Sequence, residues 1–90
     1  MSAKSKVLDP TVFEIGFLRT ELEVGFTLSR LAMESSQLAK KKRNRINARK
    51  AYNAVVHFMT RVSCTPDEAT EIKSKLSLLK SELQKLGEEI

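Results

Sequence analysis

Apolar residues recur along this chain at spacings of three and four and never in a sustained alternation of two. That pattern predicts helices and no sheet. A first helix is expected over 10–35. At roughly 100° per residue, Ile15, Leu18, Leu22, Phe26 and Met33 fall on one side of it. Phe13, Phe17, Val24, Leu28 and Leu31 fall on an adjoining side, which leaves Arg19, Glu23, Thr27, Arg30 and Glu34 as a polar stripe. So wide an arc requires two other helices packed on the first, or a partner that covers part of it. Gly25 lies beside the Leu22 face, where the missing side chain lets another helix come close, although each glycine weakens a helix by up to about 1 kcal/mol relative to alanine.

A second helix is expected over 40–62, starting between Leu38 and Asn44, with Ala48, Ala51, Tyr52, Val55, Phe58, Met59 and Val62 turned inward. The connection before it, "SSQLAKKK", holds neither glycine nor proline. A third helix, over 66–87, has the strictest period: Ala69, Ile72, Leu76, Leu79, Leu83, Leu86 and Ile90 form the narrow seam of a helix lying in a groove. Leu78 falls off that seam. Both prolines mark helix starts. Asp9 caps and Pro10 opens the first, with Leu8 and Phe13 as a staple, while Thr65, Pro66 and Glu68 form a capping box for the third. The fold class is therefore all-α, an antiparallel up-down-up three-helix bundle. It comprises a flexible tail over 1–8 and one domain over 9–90.

Ninety residues bury one small core and no deep substrate cavity. No apolar stretch is long enough to span a membrane, no secretory signal is expected, and a single cysteine, Cys64, fits a reducing compartment. The cytoplasm is the expected location. The net charge of +5 conceals an asymmetry. Residues 1–36 carry four basic and five acidic side chains, 37–62 eight basic and none acidic, and 63–90 four basic and six acidic.

Little in the chain suggests catalysis. His57, the only histidine, lies on the polar side of the second helix with no carboxylate within one turn to orient it. Cys64 has no histidine near it in sequence, and one Cys with one His does not build the usual zinc site. Glycine-rich phosphate loops are absent and the acids of the third helix follow no metal-loop spacing. No enzyme activity, metal or cofactor is expected.

The basic block is the strongest feature. "KKKRNRINARK", Lys40 to Lys50, holds seven cations in eleven positions. On the helical wheel Arg43, Lys50, His57 and Arg61 form an outward stripe, flanked by Lys42 and Arg49, with Ile46 exposed among them. Three readings are open: a solvated face neutralised by Glu21, Glu23, Glu71 or Glu82, a contact for an acidic protein surface or helix, or a grip on nucleic-acid phosphates. The stripe lacks aromatics for base stacking and no tight turn precedes a recognition helix.

Two segments carry a resemblance. "ARKAYNAV", with Ala48, Tyr52 and Val55, resembles the second-helix pattern of a tetratricopeptide repeat, and "EVGFTL", with Gly25 and Leu28, resembles part of its first helix. With the regular leucines of the third helix, the whole is similar to three-helix modules of the microtubule-interacting-and-transport type. The resemblance is one of architecture, since Gly25 and Ala48 stand 23 positions apart and only one hairpin is present. It implies binding of peptides or helices in interhelical grooves. The expected function is thus non-catalytic protein–protein contact, with self-association into a homodimer as one form of it. Phe13, Phe17, Val24, Leu28, Leu31 and Leu78 are the candidate apolar contacts. Lys42, Arg43, Ile46, Arg49, Lys50, His57 and Arg61 are the candidate cationic face. A nucleic-acid-binding module using that cationic face is the alternative.

Overall fold

The computed structural model describes residues 14–90. Among these, three helices and no strand are found: α1 (Ile15–Glu34), α2 (Leu38–Phe58), drawn out by a 3-10 turn at Met59–Arg61, and α3 (Pro66–Lys85). Phe17 of α1 meets Phe58 of α2, and Gly25 meets Ala51, so these two helices run antiparallel. Arg19 meets Glu71 and Gly25 meets Leu79, so α3 runs parallel to α1. The result is the all-α, up-down-up three-helix bundle.

The termini of the elements have local causes. Glu14 is extended, with φ −81° and ψ 153°, so α1 starts at Ile15 and is not continuous with a helix from Pro10. The expected Asp9–Pro10 start and the Leu8–Phe13 staple lie outside the described residues. At the first turn, the Ser35 hydroxyl accepts from the Gln37 N–H at 3.3 Å, which turns the chain without glycine or proline. Because Ser35–Gln37 suffices, α2 begins at Leu38, and Lys40, Lys41 and Lys42 belong to the helix and not to the connection. Its N-cap, Gln37, makes no side-chain cap bond. Three lysines near an uncapped N-terminus oppose the helix dipole, so α2 is held by packing.

The start of α3 follows the sequence expectation closely. Thr65 Oγ1 accepts from the Glu68 N–H at 3.1 Å, and Glu68 Oε1 accepts from the Thr65 N–H at 2.9 Å. Its end is a Schellman turn: the Glu88 N–H donates to the Leu83 carbonyl and the Gly87 N–H to that of Gln84, each at 3.0 Å. Gly87 has φ +99°, a conformation that favours glycine.

The core contains Leu18, Leu22 and Ala32 of α1, Ala48, Ala51 and Val55 of α2, Val62, and Ile72, Leu79 and Leu83 of α3. Gly25 and Ser29 are buried with them, so the inner stripe of α1 is large at one end and small at the other. The Ser29 hydroxyl has no hydrogen-bond partner among the described residues. The seam of α3 is buried at Ile72, Leu79 and Leu83 and half-buried at Ala69, Leu76, Leu86 and Ile90.

Gly25 allows the closest contact. A Cβ placed there would stand 2.6 Å from Leu79 Cδ2 and 3.5 Å from Ala51 Cβ. Leu79 is fully buried and has little room to retreat. Gly25→Ala should therefore destabilise the fold by about 1–3 kcal/mol, outweighing the gain of up to about 1 kcal/mol from alanine's helix propensity. Gly16→Ala, with nothing within 4 Å, should instead stabilise by about 0.5–1 kcal/mol. Chemical denaturation of both variants checks the contrast, and equal gains would show that Leu79 yields.

Candidate interaction surface

The fold divides the cations of helix α2 into two groups. On the side facing α3, the reversal at Gly87 brings Glu88 back onto α2. Arg49 Nη1 donates to Glu88 Oε1 at 2.9 Å, and Arg45 Nε stands 2.8 Å from Glu88 Oε2 as an ion pair without hydrogen-bond alignment. Arg49 also reaches Asn53 Oδ1 at 3.2 Å and the Glu89 carbonyl at 3.4 Å.

The second group is unpaired: Arg43 and Lys50 point away from the Arg45–Arg49 face, while Lys42 lies on it at i, i+3 and i+7. Lys42, Arg43 and Lys50 are exposed, and none has an ion pair among the described residues. Arg43, Lys50 and His57 are seven apart, so they line one side at intervals of about 10 Å. Ile46 is exposed beside them, and Arg61 lies beyond the helix end with its guanidinium 5.9 Å from the Phe58 ring centre. His57 meets the same ring edge-on, with centroids 4.5 Å apart.

The acids expected to neutralise the block are engaged elsewhere or stand apart from it. Glu71 takes a two-pronged contact from Arg19, at 2.9 and 2.7 Å, and a third bond from Lys75 at 3.2 Å. Glu82 stands 3.5 Å from Lys85. Glu21 and Glu23 have no ion pair among the described residues. The carboxylate that does act, Glu88, was legible only as an acid following the helix-stopping Gly87.

The candidate apolar residues separate onto two faces. Phe17 and Leu28 are half-buried and pack against the core. Val24 is 41% and Leu31 44% exposed. Val24, Leu28 and Leu31 stand at i, i+4 and i+7, so they form one strip on the α1–α2 side that α3 does not cover. Leu78, 61% exposed, lies elsewhere, in a groove of about 330 Å³ between α1 and α3 with Phe26, Ser29, Arg30, Met33 and Glu82. Phe13 lies outside the described residues.

Among the described residues no three His, Cys, Asp or Glu side chains gather, and no helix is long and apolar enough to cross a membrane. Cys64 is a free, half-buried thiol packed against the core. Fold and surface together define a small all-α three-helix bundle with one paired and one unpaired cationic side. No protein-family model, no curated protein and no solved structure matches the chain.

The Arg19–Glu71 contact has a pH signature. Hydrogen bonding from Arg19, then from Lys75, holds the Glu71 carboxyl at about 2, below its ordinary 4.5. A lowered value in the fold means the contact stabilises fully above the unfolded value and is lost as pH falls towards the folded one. Thermal midpoints should therefore drop between about pH 5 and 2, and Glu71→Gln should flatten part of that drop. Parallel profiles for the two proteins would show that this carboxylate is not held.

Proposed function

We propose that this chain is a non-catalytic helical module that works by protein–protein contact across the α1–α2 side of the bundle. The observation that carries this reading is the strip Val24, Leu28 and Leu31 along α1, in which Leu28 is half-buried against the core while Val24 and Leu31 remain over 40% exposed. A surface helix ordinarily turns polar residues outward, and apolar residues aligned on an exposed face mark contact sites. The unpaired cations of α2 border this strip, which favours acidic protein surfaces or helices as partners.

A second reading is favoured by the same unpaired cations. Arg43 and Lys50 on one side of α2, with Arg61 beyond its end, could track a phosphate backbone. It draws nothing from the apolar strip, and Glu88 withdraws Arg45 and Arg49 from the available charge.

Placing a photoreactive benzoyl-phenylalanine at position 31 and irradiating the full chain in its native cells separates the two. The protein-contact reading expects protein adducts of discrete mass that disappear when Val24→Asp is added. It also expects no micromolar binding to labelled duplex or single-stranded nucleic acid at about 150 mM salt. Absent adducts together with micromolar, steeply salt-dependent binding would overturn it in favour of the second reading. Glu88→Gln, which releases two arginines, would then tighten nucleic-acid binding.

A further inference from the structure

The walls of the groove between α2 and α3 are cationic. Helix α2 has no acidic residue at all. On α3, Thr70, Lys73, Ser77, Lys80 and Gln84 recur at three and four and form the stripe on the α2 side of the buried seam. Lys73 and Lys80 have no ion pair among the described residues. The acids of α3 stand apart from this stripe. Glu71 bonds to Arg19 of α1, Glu82 lines the α1–α3 groove, and Glu68 caps the helix start. Asp67 precedes Glu71 by one helical turn and shares its side.

The floor of the groove is apolar. Tyr52, Met59 and Leu76 are half-buried against the core, and with Lys73, Ser77 and Lys80 they enclose a hollow of about 330 Å³. Tyr52 also lines the neighbouring concavity with Arg49, Val56 and Ile90, and so joins the two.

One end of this groove is filled by the chain itself. After the left-handed turn at Gly87, Glu88 places its carboxylate on Arg45 and Arg49, and Ile90 packs against the core beside Tyr52. Two long contacts add to this hold, from Arg49 to the Glu89 carbonyl and from Gln84 to that of Ile90, each at 3.4 Å. A carboxylate on cations, followed two residues on by an aliphatic side chain, is therefore a pattern that this groove accepts. Beyond Tyr52, the hollow below Lys73 and Lys80 offers the same cationic rim and apolar floor.

We propose that the α2–α3 groove binds an acidic, aliphatic-bearing segment of a partner protein, and that Glu88 and Ile90 are the chain's own stand-in for it at one end. Carboxylates of that segment meet Lys73 and Lys80, and its aliphatic side chains meet Tyr52, Met59 and Leu76. Protein is favoured over nucleic acid because the groove holds an aliphatic side chain beside a carboxylate, and a phosphate backbone supplies only the charge. Glu88 competes for Arg45 and Arg49, so only molecules with residues 88–90 displaced offer every cation to the partner. This face is distinct from the Val24–Leu28–Leu31 strip, and either can bind without the other.

Fluorescence anisotropy of a labelled peptide of about twelve residues repeating Glu-Glu-Ile, titrated with the full chain, provides the test. Binding is expected with a Kd on the order of 100 μM at about 150 mM salt, weakening as salt rises. A peptide repeating Gln-Gln-Ile should bind about tenfold more weakly. Glu88→Gln should tighten binding about fivefold by releasing the two arginines. Glu89→Gln removes the same charge from an exposed side chain without an ion pair among the described residues. It should change binding less than about twofold. Lys73→Glu should weaken binding about fivefold, and Arg43→Glu, on the outer side of α2, less than about twofold. Far-ultraviolet circular dichroism verifies that each variant stays helical.

Four results would overturn the proposal: no binding by the unaltered chain or by Glu88→Gln up to about 1 mM, equal binding of the glutamine peptide, equal effects of Glu88→Gln and Glu89→Gln, or equal effects of Lys73→Glu and Arg43→Glu. Nucleic acid bound more tightly than the peptide, and lost with Lys73→Glu, would also overturn it and assign the groove to phosphates. Protein adducts from position 31 report on the α1–α2 side alone, so failure here and failure there are told apart.

Discussion

Where α1 crosses its neighbours, the chain has no side chain at all. Gly25 lets Leu79 of α3 and Ala51 of α2 converge on the α1 backbone, and a single added carbon would meet Leu79 at 2.6 Å. Ser29 and Ala32 continue the small stripe on α1, and Ala48 and Ala51 are buried on α2. Small residues bring the helices together and determine which side of α1 turns inward. Leu18 and Leu22 go to the core, so Val24 and Leu31 are left on the far side of the helix. The exposed strip is a consequence of the tight seam, because one helix cannot bury an apolar arc that wide against a closely packed neighbour.

Electrostatics follow from the same geometry. Helix α3 lies over one side of the α1–α2 pair and brings its acids there: Glu71 to Arg19, and Glu88 to Arg45 and Arg49. Gly87 is needed for the second of these, since the left-handed turn after α3 aims Glu88 back at α2. Cations beyond the reach of α3 remain without acids. Helix α2 also begins with lysines at an uncapped N-terminus, against its own dipole. Local rules that a chain breaks while its packing is otherwise consistent tend to mark surfaces with a role.

Much of the fold was legible in the sequence. The three-and-four spacing identified three helices, and Thr65, Pro66 and Glu68 fixed the start of α3 to the residue. Periodicity also marked Ile72, Leu79 and Leu83 as core. It overlooked Ser29 and Ala32, because small residues carry too little hydrophobicity to signal burial. The start of α2 was obscured because a serine hydroxyl made the turn usually made by glycine or proline. The unpaired cations of α2 could be placed on a wheel, but whether a carboxylate reached them depended on how residues 86–90 fold back, which no local period encodes. Leu78 was grouped with the α1 strip because both lay off a predicted seam. A wheel for each helix separately cannot show that the two face different grooves.

The most direct test is solvent access to individual methyl groups. A soluble paramagnetic relaxation agent added to the full chain should strongly broaden the Val24 and Leu31 methyl resonances, which belong to side chains 41% and 44% exposed. Those of Leu18, Leu22, Leu79 and Leu83 should remain sharp. That result would place the strip outside a seam closed by Gly25. Protection of Val24 and Leu31 equal to that of Leu22 would contradict it, since α1 would then be rotated on its neighbours and the strip would belong to the core.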